Sequence, residues 1–127
     1  MSEDLKARLR RDLDRVWNQG DPNAIDELFA ADVVIHNPTP GTPAGIEGVR
    51  FTINGLRAAV PDLQFSMDKL VVDGDLVAYQ WSATGTSQAE LPGIAAPGEK
   101  MTMSGLALDR LADGKISEIW TAMFSPS

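Results

Sequence analysis

Apolar residues in the first half of the chain recur three or four positions apart, which is the spacing of one helix face. This pattern predicts a first helix from residue 2 to about residue 19, ended by Gly20. Asp21 followed by Pro22 predicts the start of a short second helix, because aspartate caps helix starts and proline fits the first turn. A third helix is predicted over residues 46–59. The apolar positions of the first two helices are Leu5, Leu9, Leu13, Val16, Trp17 and Ala24, Ile25, Leu28, Phe29.

The second half of the chain carries alternating and continuous apolar stretches that are typical of strands. Asp-Gly pairs at 73–74 and 113–114 predict tight hairpin turns. Helices followed by hairpins predict an α+β fold, with N-terminal helices packed on a curved antiparallel sheet. The predicted strands are 32–37, 64–72, 76–86, 100–111 and 115–124, and the predicted loops are 38–45 and 88–99.

Composition and charge exclude several classes of protein. The 127 residues suit a single domain, and the absence of cysteine excludes disulfides, thiol nucleophiles and cysteine-based metal sites. A net charge of −7, from 11 basic and 18 acidic residues, argues against a general nucleic-acid binder. The sequence has no long apolar run, no secretory leader pattern and no glycine-rich phosphate loop. We therefore expect no membrane partner, no metal or other cofactor, and a cytoplasmic location.

Several short motifs, in order along nearly the whole chain, resemble the SnoaL-like polyketide cyclase family. They are VWNQGDPNAIDELFAADVVIHNP (16–38), GIEGVR (45–50), PDLQF (61–65), GDLVAYQW (74–81) and RLADGKISEIW (110–120). This family belongs to the nuclear transport factor 2-like superfamily, with ketosteroid isomerase and limonene epoxide hydrolase. The resemblance implies one SnoaL-like domain over residues 1–127. It also implies a cone-shaped α+β barrel with an apolar cavity, and a homodimer formed through the outer face of the sheet.

The sequence departs from its relatives at positions that carry chemistry. By alignment, Asn37 stands where ketosteroid isomerases have their base, Leu13 where they have a tyrosine, and residues 106–107 where they have a second acid. Asparagine cannot take a proton at neutral pH, so the isomerase chemistry of those enzymes is not expected. The family's common Gly-Thr-His reads Gly85-Thr86-Ser87 here, so that histidine is missing as well.

His36 and Asp109 are the predicted catalytic residues. Histidine titrates near neutral pH and can act as acid or base, although a histidine here can equally bond a loop carbonyl and hold residues 38–43. Asp109 interrupts an apolar strand. Facing inward, it would be a buried acid with a raised pKa and would need a partner, which His36 or Gln80 could supply. Facing outward, it would be a solvated carboxylate.

The strand over residues 76–86 has two distinct faces, and the sequence leaves their orientation open. The family alignment favours the face of Gln80 toward the cavity, which leaves the face of Tyr79 and Trp81 for a dimer interface. The reverse assignment is the alternative. The predicted substrate-binding residues are Asn37, Gln80, Trp17, Met103, Trp120 and Met123; the alternatives are a turn asparagine at 37 and ordinary core packing for the tryptophans and methionines.

Two functional hypotheses follow. The first is a cofactor-independent acid/base enzyme that acts on an apolar cyclic or polyketide-like small molecule, by cyclisation, isomerisation or hydration. The second is a non-catalytic module of the same fold that binds a small ligand or dimerises. An enzyme should bring His36 and at least one carboxylate into a single pocket, whereas a binding module should have a uniformly apolar or filled cavity.

Overall fold

The structure, a computed structural model, describes residues 2–91 and 93–124, which form helices and strands in the predicted order. The helices are α1 (Ser2–Trp17), α2 (Pro22–Leu28) and α3 (Ile46–Ala59). The strands are β1 (Phe29–Ile35), β2 (Gln64–Asp73), β3 (Leu76–Thr86), β4 (Lys100–Ala112) and β5 (Lys115–Met123). None of the helices in this part of the chain has both the length and the apolar character needed to cross a bilayer.

The boundaries of α1, α2 and β1 differ from the prediction by a few residues. Helix α1 ends at Trp17. Three residues later, Gly20 adopts a left-handed φ of 65° and lies against the guanidinium of Arg57. Asp21 caps α2 as predicted, since its side chain accepts a hydrogen bond from the backbone of Asn23 at 3.0 Å. Phe29 was expected on the second helix but is extended, so β1 begins there instead of at residue 32.

The five strands form one sheet in the order β1-β5-β4-β3-β2. Strand β1 pairs with β5 in parallel, and the other neighbours are antiparallel. The α+β class is therefore confirmed, but the sheet is mixed rather than purely antiparallel. It does not close, because β1 and β2 lie at its two edges.

The core lies between the helices and the inner face of the sheet. The apolar stripe of α1 is buried, with Leu9, Leu13 and Val16 each at most 2% exposed. Burying each such side chain contributes on the order of 1.5–3 kcal/mol. A second cluster lies around Val60 and Met101. Between the two clusters, Leu13 and Trp17 face a space that the side chains do not fill.

Gly105 is required for the packing of β4, and its replacement should destabilise the fold. A methyl group on this residue would overlap the carbonyl oxygen of Ala122 and lie 2.7 Å from the ring of Trp81. We expect Gly105→Ala to lower the free energy of unfolding by about 1–3 kcal/mol, because the backbone cannot move aside cheaply. Urea unfolding measures this change.

Gly55 provides the matched control. It lies within α3, where an added methyl group meets nothing within 4 Å. Gly55→Ala should raise the free energy of unfolding by up to about 1 kcal/mol, because alanine favours the helix. A Gly105→Ala protein as stable as the parent would contradict the close contact.

Candidate active site

An apolar cavity of about 510 Å³ lies between the helices and the inner face of the sheet. Helix α1 contributes Leu13 and Trp17, and α3 contributes a wall that includes Ile53 and Leu56. Across from them are β3, β4 and β5, with Phe65 from β2. Most of the wall is hydrocarbon or aromatic, as is typical of sites for small apolar molecules. The polar side chains on it are Asn37, Thr39, Thr52, Tyr79, Asp109 and Thr121.

Asp109 is the carboxyl group on this wall, and it is 3% exposed. The hydroxyl of Tyr79 donates to its Oδ2 at 3.5 Å, whereas its Oδ1 is buried with no hydrogen-bond partner. Burial raises the pKa of Asp109 to about 7, and the hydrogen bond from Tyr79 lowers it by a smaller amount. A carboxyl group with this pKa is divided between its acid and base forms near neutral pH.

The pairing of β3 with β4 accounts for the contact between Tyr79 and Asp109. Alternate residues of β4 point inward, which places Ala107 and Asp109 on the cavity face. Tyr79 pairs directly with Ala107, so it is the diagonal neighbour of Asp109 and within reach of its side chain. Burial, with the carboxyl group of Asp109, raises the pKa of Tyr79 well above its ordinary value, so the phenol stays protonated and remains a donor.

His36 does not lie with Asp109, and the predicted pairing of these two residues is wrong. The Nε2 atom of His36 is 2.9 Å from Oε1 of Glu118, and its ring stacks on Trp120 with 4.3 Å between ring centroids. The physical reason is strand alternation: Ile35 and Ile119 face the cavity, so His36, Glu118 and Trp120 face outward. His36 also does not bond a loop carbonyl through its ring in the way that the alternative required.

Gln80 likewise lies outside the cavity, and the predicted orientation of its strand is wrong. The inner face of β3 carries Tyr79, Trp81 and Ala83, and the Nζ of Lys69 donates to Gln80 on the opposite face at 3.2 Å. Gln80 therefore cannot partner Asp109. The aromatic face of β3 packs against the core, which also excludes it as a dimer interface.

The other predicted binding residues divide in the same way. Trp17, Asn37, Met103 and Met123 line the cavity, whereas Trp120 does not. Asn37 is held in place, because its side-chain amide donates to the carbonyl oxygen of Thr121 and accepts from the Thr121 backbone N–H at 3.3 Å. Contact of these residues with a substrate remains a prediction.

Two features of the wall were missed in the sequence. Tyr79 is the hydrogen-bond partner of Asp109, whereas the sequence alone identifies it only as an aromatic residue in a strand. Phe65 lies between Trp17 and Trp81, with centroid distances of 5.2 and 6.5 Å and interplanar angles of 15°. The helical stripe and the strand alternation each indicate burial, but neither shows that these three rings meet.

Trp81 lies on the inner face of the sheet and His36 and Gln80 lie outside the cavity, so substitutions at these positions should affect ligand binding differently. Trp81→Leu should weaken the binding of 2-naphthylmethanol, an apolar probe, by about tenfold, because it removes an aromatic wall of the cavity. His36→Ala and Gln80→Ala are the matched controls and should change the affinity by no more than about twofold, as expected for outward residues. Calorimetric titration measures all four proteins. Weaker binding in the two controls than in Trp81→Leu would contradict the assigned faces.

Comparisons with known proteins agree with this fold. The family model for SnoaL-like polyketide cyclases matches residues 7–123. The fold is similar to that of TsrD from Streptomyces laurentii, with 27% identity over 94% of this chain and 87% of that chain and a TM-score of 0.83. It is also similar to IdmH from Streptomyces antibioticus, described as a candidate polyketide cyclase. That match has 34% identity over 95% of this chain and 90% of that chain, with a TM-score of 0.74.

A further solved structure, described as a candidate polyketide cyclase from Acidithiobacillus ferrooxidans, is similar as well. It has 27% identity over 94% of this chain and 87% of that chain, with a TM-score of 0.76. None of the curated proteins matches the sequence.

Proposed function

Since the chain belongs to the SnoaL-like polyketide cyclase family, we propose that it is a cofactor-independent acid/base enzyme that cyclises an apolar, polyketide-like carbonyl compound. The observation that carries the proposal is Asp109. It is a carboxyl group with a raised pKa in the wall of an apolar cavity, and one of its oxygens is buried with no hydrogen-bond partner. A base of this pKa is well matched to proton transfer near neutral pH.

The proposed reaction is an intramolecular aldol addition. The carboxylate of Asp109 removes a proton from a carbon next to a carbonyl group. The resulting enolate carbon attacks a second carbonyl carbon of the same molecule, which forms the new C–C bond and an alkoxide. The alkoxide takes a proton back from the Asp109 carboxyl group, so the product is an isomer of the substrate.

Three features of the cavity assist this reaction. Tyr79 donates to Oδ2, which orients the carboxyl group and leaves Oδ1 without a hydrogen-bond partner. The enclosing wall holds the two reacting carbons together, an effect that can be worth roughly 7–11 kcal/mol in well-oriented intramolecular reactions. The apolar surface keeps water from competing for the enolate.

A ketosteroid-isomerase type of double-bond shift is less well supported. The aligned positions 13, 37 and 107 line the cavity as leucine, asparagine and alanine. None of these side chains can act as an acid or base at neutral pH. The isomerase version of the hypothesis therefore ranks below cyclisation.

Deuterium exchange into 2-tetralone, an apolar bicyclic ketone, tests the proposal without knowledge of the natural substrate. The protein should speed the exchange of the protons next to the carbonyl group above the buffer rate, with saturation at high ketone concentration. Because the base form is the active one, the rate should rise with pH, reach half its maximum near pH 7 and level off at higher pH. Saturable binding of the ketone without faster exchange would favour the non-catalytic ligand-binding module instead.

We also propose a homodimer formed through the outer face of the sheet. Leu106 and Leu108 lie on that face with 51% and 38% of their surfaces exposed, beside Trp120. Leu106→Asp should then convert a dimer to a monomer in sedimentation measurements; a parent protein that sediments as a monomer would contradict this. The cytoplasmic location stays a prediction.

A further inference from the structure

The charged groups that line the cavity are of one sign only, which is negative. Among the described residues of its wall there is one carboxyl group and no lysine, arginine or histidine. Two cationic side chains on elements that form the wall have other partners: Arg57 of α3 donates to the carbonyl oxygen of Trp17 at 2.5 Å, and Lys69 of β2 donates to Gln80 on the outer face. An anionic ligand would therefore meet no opposite charge in the cavity, and it would face Asp109.

The unpartnered Oδ1 of Asp109 is a strong acceptor with no donor from the protein. The titratable group facing this carboxyl group is Tyr79, which already donates to the other oxygen, Oδ2. The neighbouring residues in register on β3 and β5 are Val77 and Ile119, which carry no polar side chain. Tyr79 is thus the one side-chain donor to this carboxyl group among the described residues, and a ligand that reaches the group from the cavity can add a second. A charged N–H donor makes the stronger hydrogen bond to a carboxylate.

Aromatic rings on the same wall also favour a cation. Trp17, Phe65 and Trp81 form a nearly parallel series, and all three line the cavity with Tyr79. Aromatic faces carry negative charge density and attract ammonium groups, with tryptophan the most effective of them. The same rings provide apolar surface for the hydrocarbon part of a ligand.

We propose that the cavity binds an apolar primary ammonium ion, which donates N–H to the carboxyl group of Asp109 and packs its hydrocarbon part against the aromatic wall, and that it rejects carboxylates. This inference goes beyond the proposed cyclisation and does not depend on it. An ammonium ion in this position would occupy the base and would therefore be a ligand or an inhibitor, not a molecule that loses a proton from carbon.

Three probes with one skeleton test the inference: 2-naphthylmethylammonium, 2-naphthylmethanol and 2-naphthoate, titrated calorimetrically at pH 8. We expect the ammonium ion to bind about tenfold more tightly than the alcohol, and the carboxylate about tenfold more weakly than the alcohol or not at all. Asp109→Asn should weaken binding of the ammonium ion about tenfold or more and leave the alcohol within about threefold.

Asp68→Asn is the matched control, because it removes the same charge from an exposed residue on the outer face of β2. It should leave all three affinities unchanged.

A second measurement needs no variant. In the parent protein, lowering the pH from 8 to 5.5 should weaken binding of the ammonium ion roughly thirtyfold, as Asp109 takes up a proton, and leave the alcohol unchanged.

Equal affinities for the ammonium ion and the alcohol, or tighter binding of naphthoate, would overturn the inference. An ammonium affinity that is insensitive to both Asp109→Asn and pH would overturn it as well. These failures are distinct from failure of the proposed function. Exchange into 2-tetralone without ammonium preference refutes only the ligand inference, and ammonium preference without exchange refutes only the cyclisation.

Discussion

The Asp109→Asn variant is expected to exchange the protons of 2-tetralone about 10²–10⁴-fold more slowly than the parent protein, since it lacks the proposed base. Asparagine has nearly the same shape as aspartate and can still accept the hydrogen bond from Tyr79, so the cavity should remain intact. The initial exchange rate at saturating ketone, followed by proton NMR in deuterated buffer, gives the comparison directly.

Two further variants make this result specific. Asp68→Asn removes an exposed carboxylate and should keep the parent rate. Tyr79→Phe leaves the base in place but removes the donor to Oδ2, so it should lower the rate less and raise the pH at which the rate reaches half its plateau. An Asp109→Asn protein that exchanges within threefold of the parent would exclude Asp109 as the base.

The same Asp109→Asn variant should be more stable than the parent at pH 8. The folded protein holds a proton on Asp109 up to about pH 7, whereas the unfolded chain releases it near the ordinary value of 3.8. The parent therefore loses stability as the pH rises from about 4 through 7, because charge must then be buried in an apolar wall. The total difference reaches up to about 4 kcal/mol above pH 7.

Urea unfolding of both proteins at pH 5 and pH 8 measures this effect. The advantage of Asp109→Asn over the parent should grow by about 2–3 kcal/mol between the two conditions. The pH dependence of stability that arises from the other titrating groups cancels in this comparison, because both proteins contain those groups. A difference in stability that is the same at both pH values would show that Asp109 is not a buried ionisable group.

The secondary structure could be predicted well from local pattern alone. The third helix and the strand over residues 76–86 have the predicted bounds, because a strong apolar period and the 73–74 turn define them. The parallel pairing of β1 with β5 could not be predicted in this way. Those strands are about eighty residues apart, and no local signal specifies which edge of the sheet a distant strand joins.

The site could be predicted only in part, because the face of a strand depends on a shift of one residue. Asp109 was identifiable as a lone acid among apolar positions, and the structure places it in the cavity. His36 and Gln80 point outward, because a shift of one residue in the inward–outward alternation exchanges the two faces of a strand. The contact of Tyr79 with Asp109 depends on the register of β3 against β4, which the loop over residues 88–99 leaves open in the sequence.

The claim that Asp109 is a buried acid poised near neutral pH has one direct test. Carbon-13 labelling of the aspartates allows the Asp109 carboxyl resonance, identified by its absence in Asp109→Asn, to be followed by NMR as the pH changes. We expect a titration midpoint near pH 7. A midpoint near the ordinary aspartate value of 3.8 would contradict it, since a carboxyl group that ionises as readily as one in water is not desolvated by an apolar cavity.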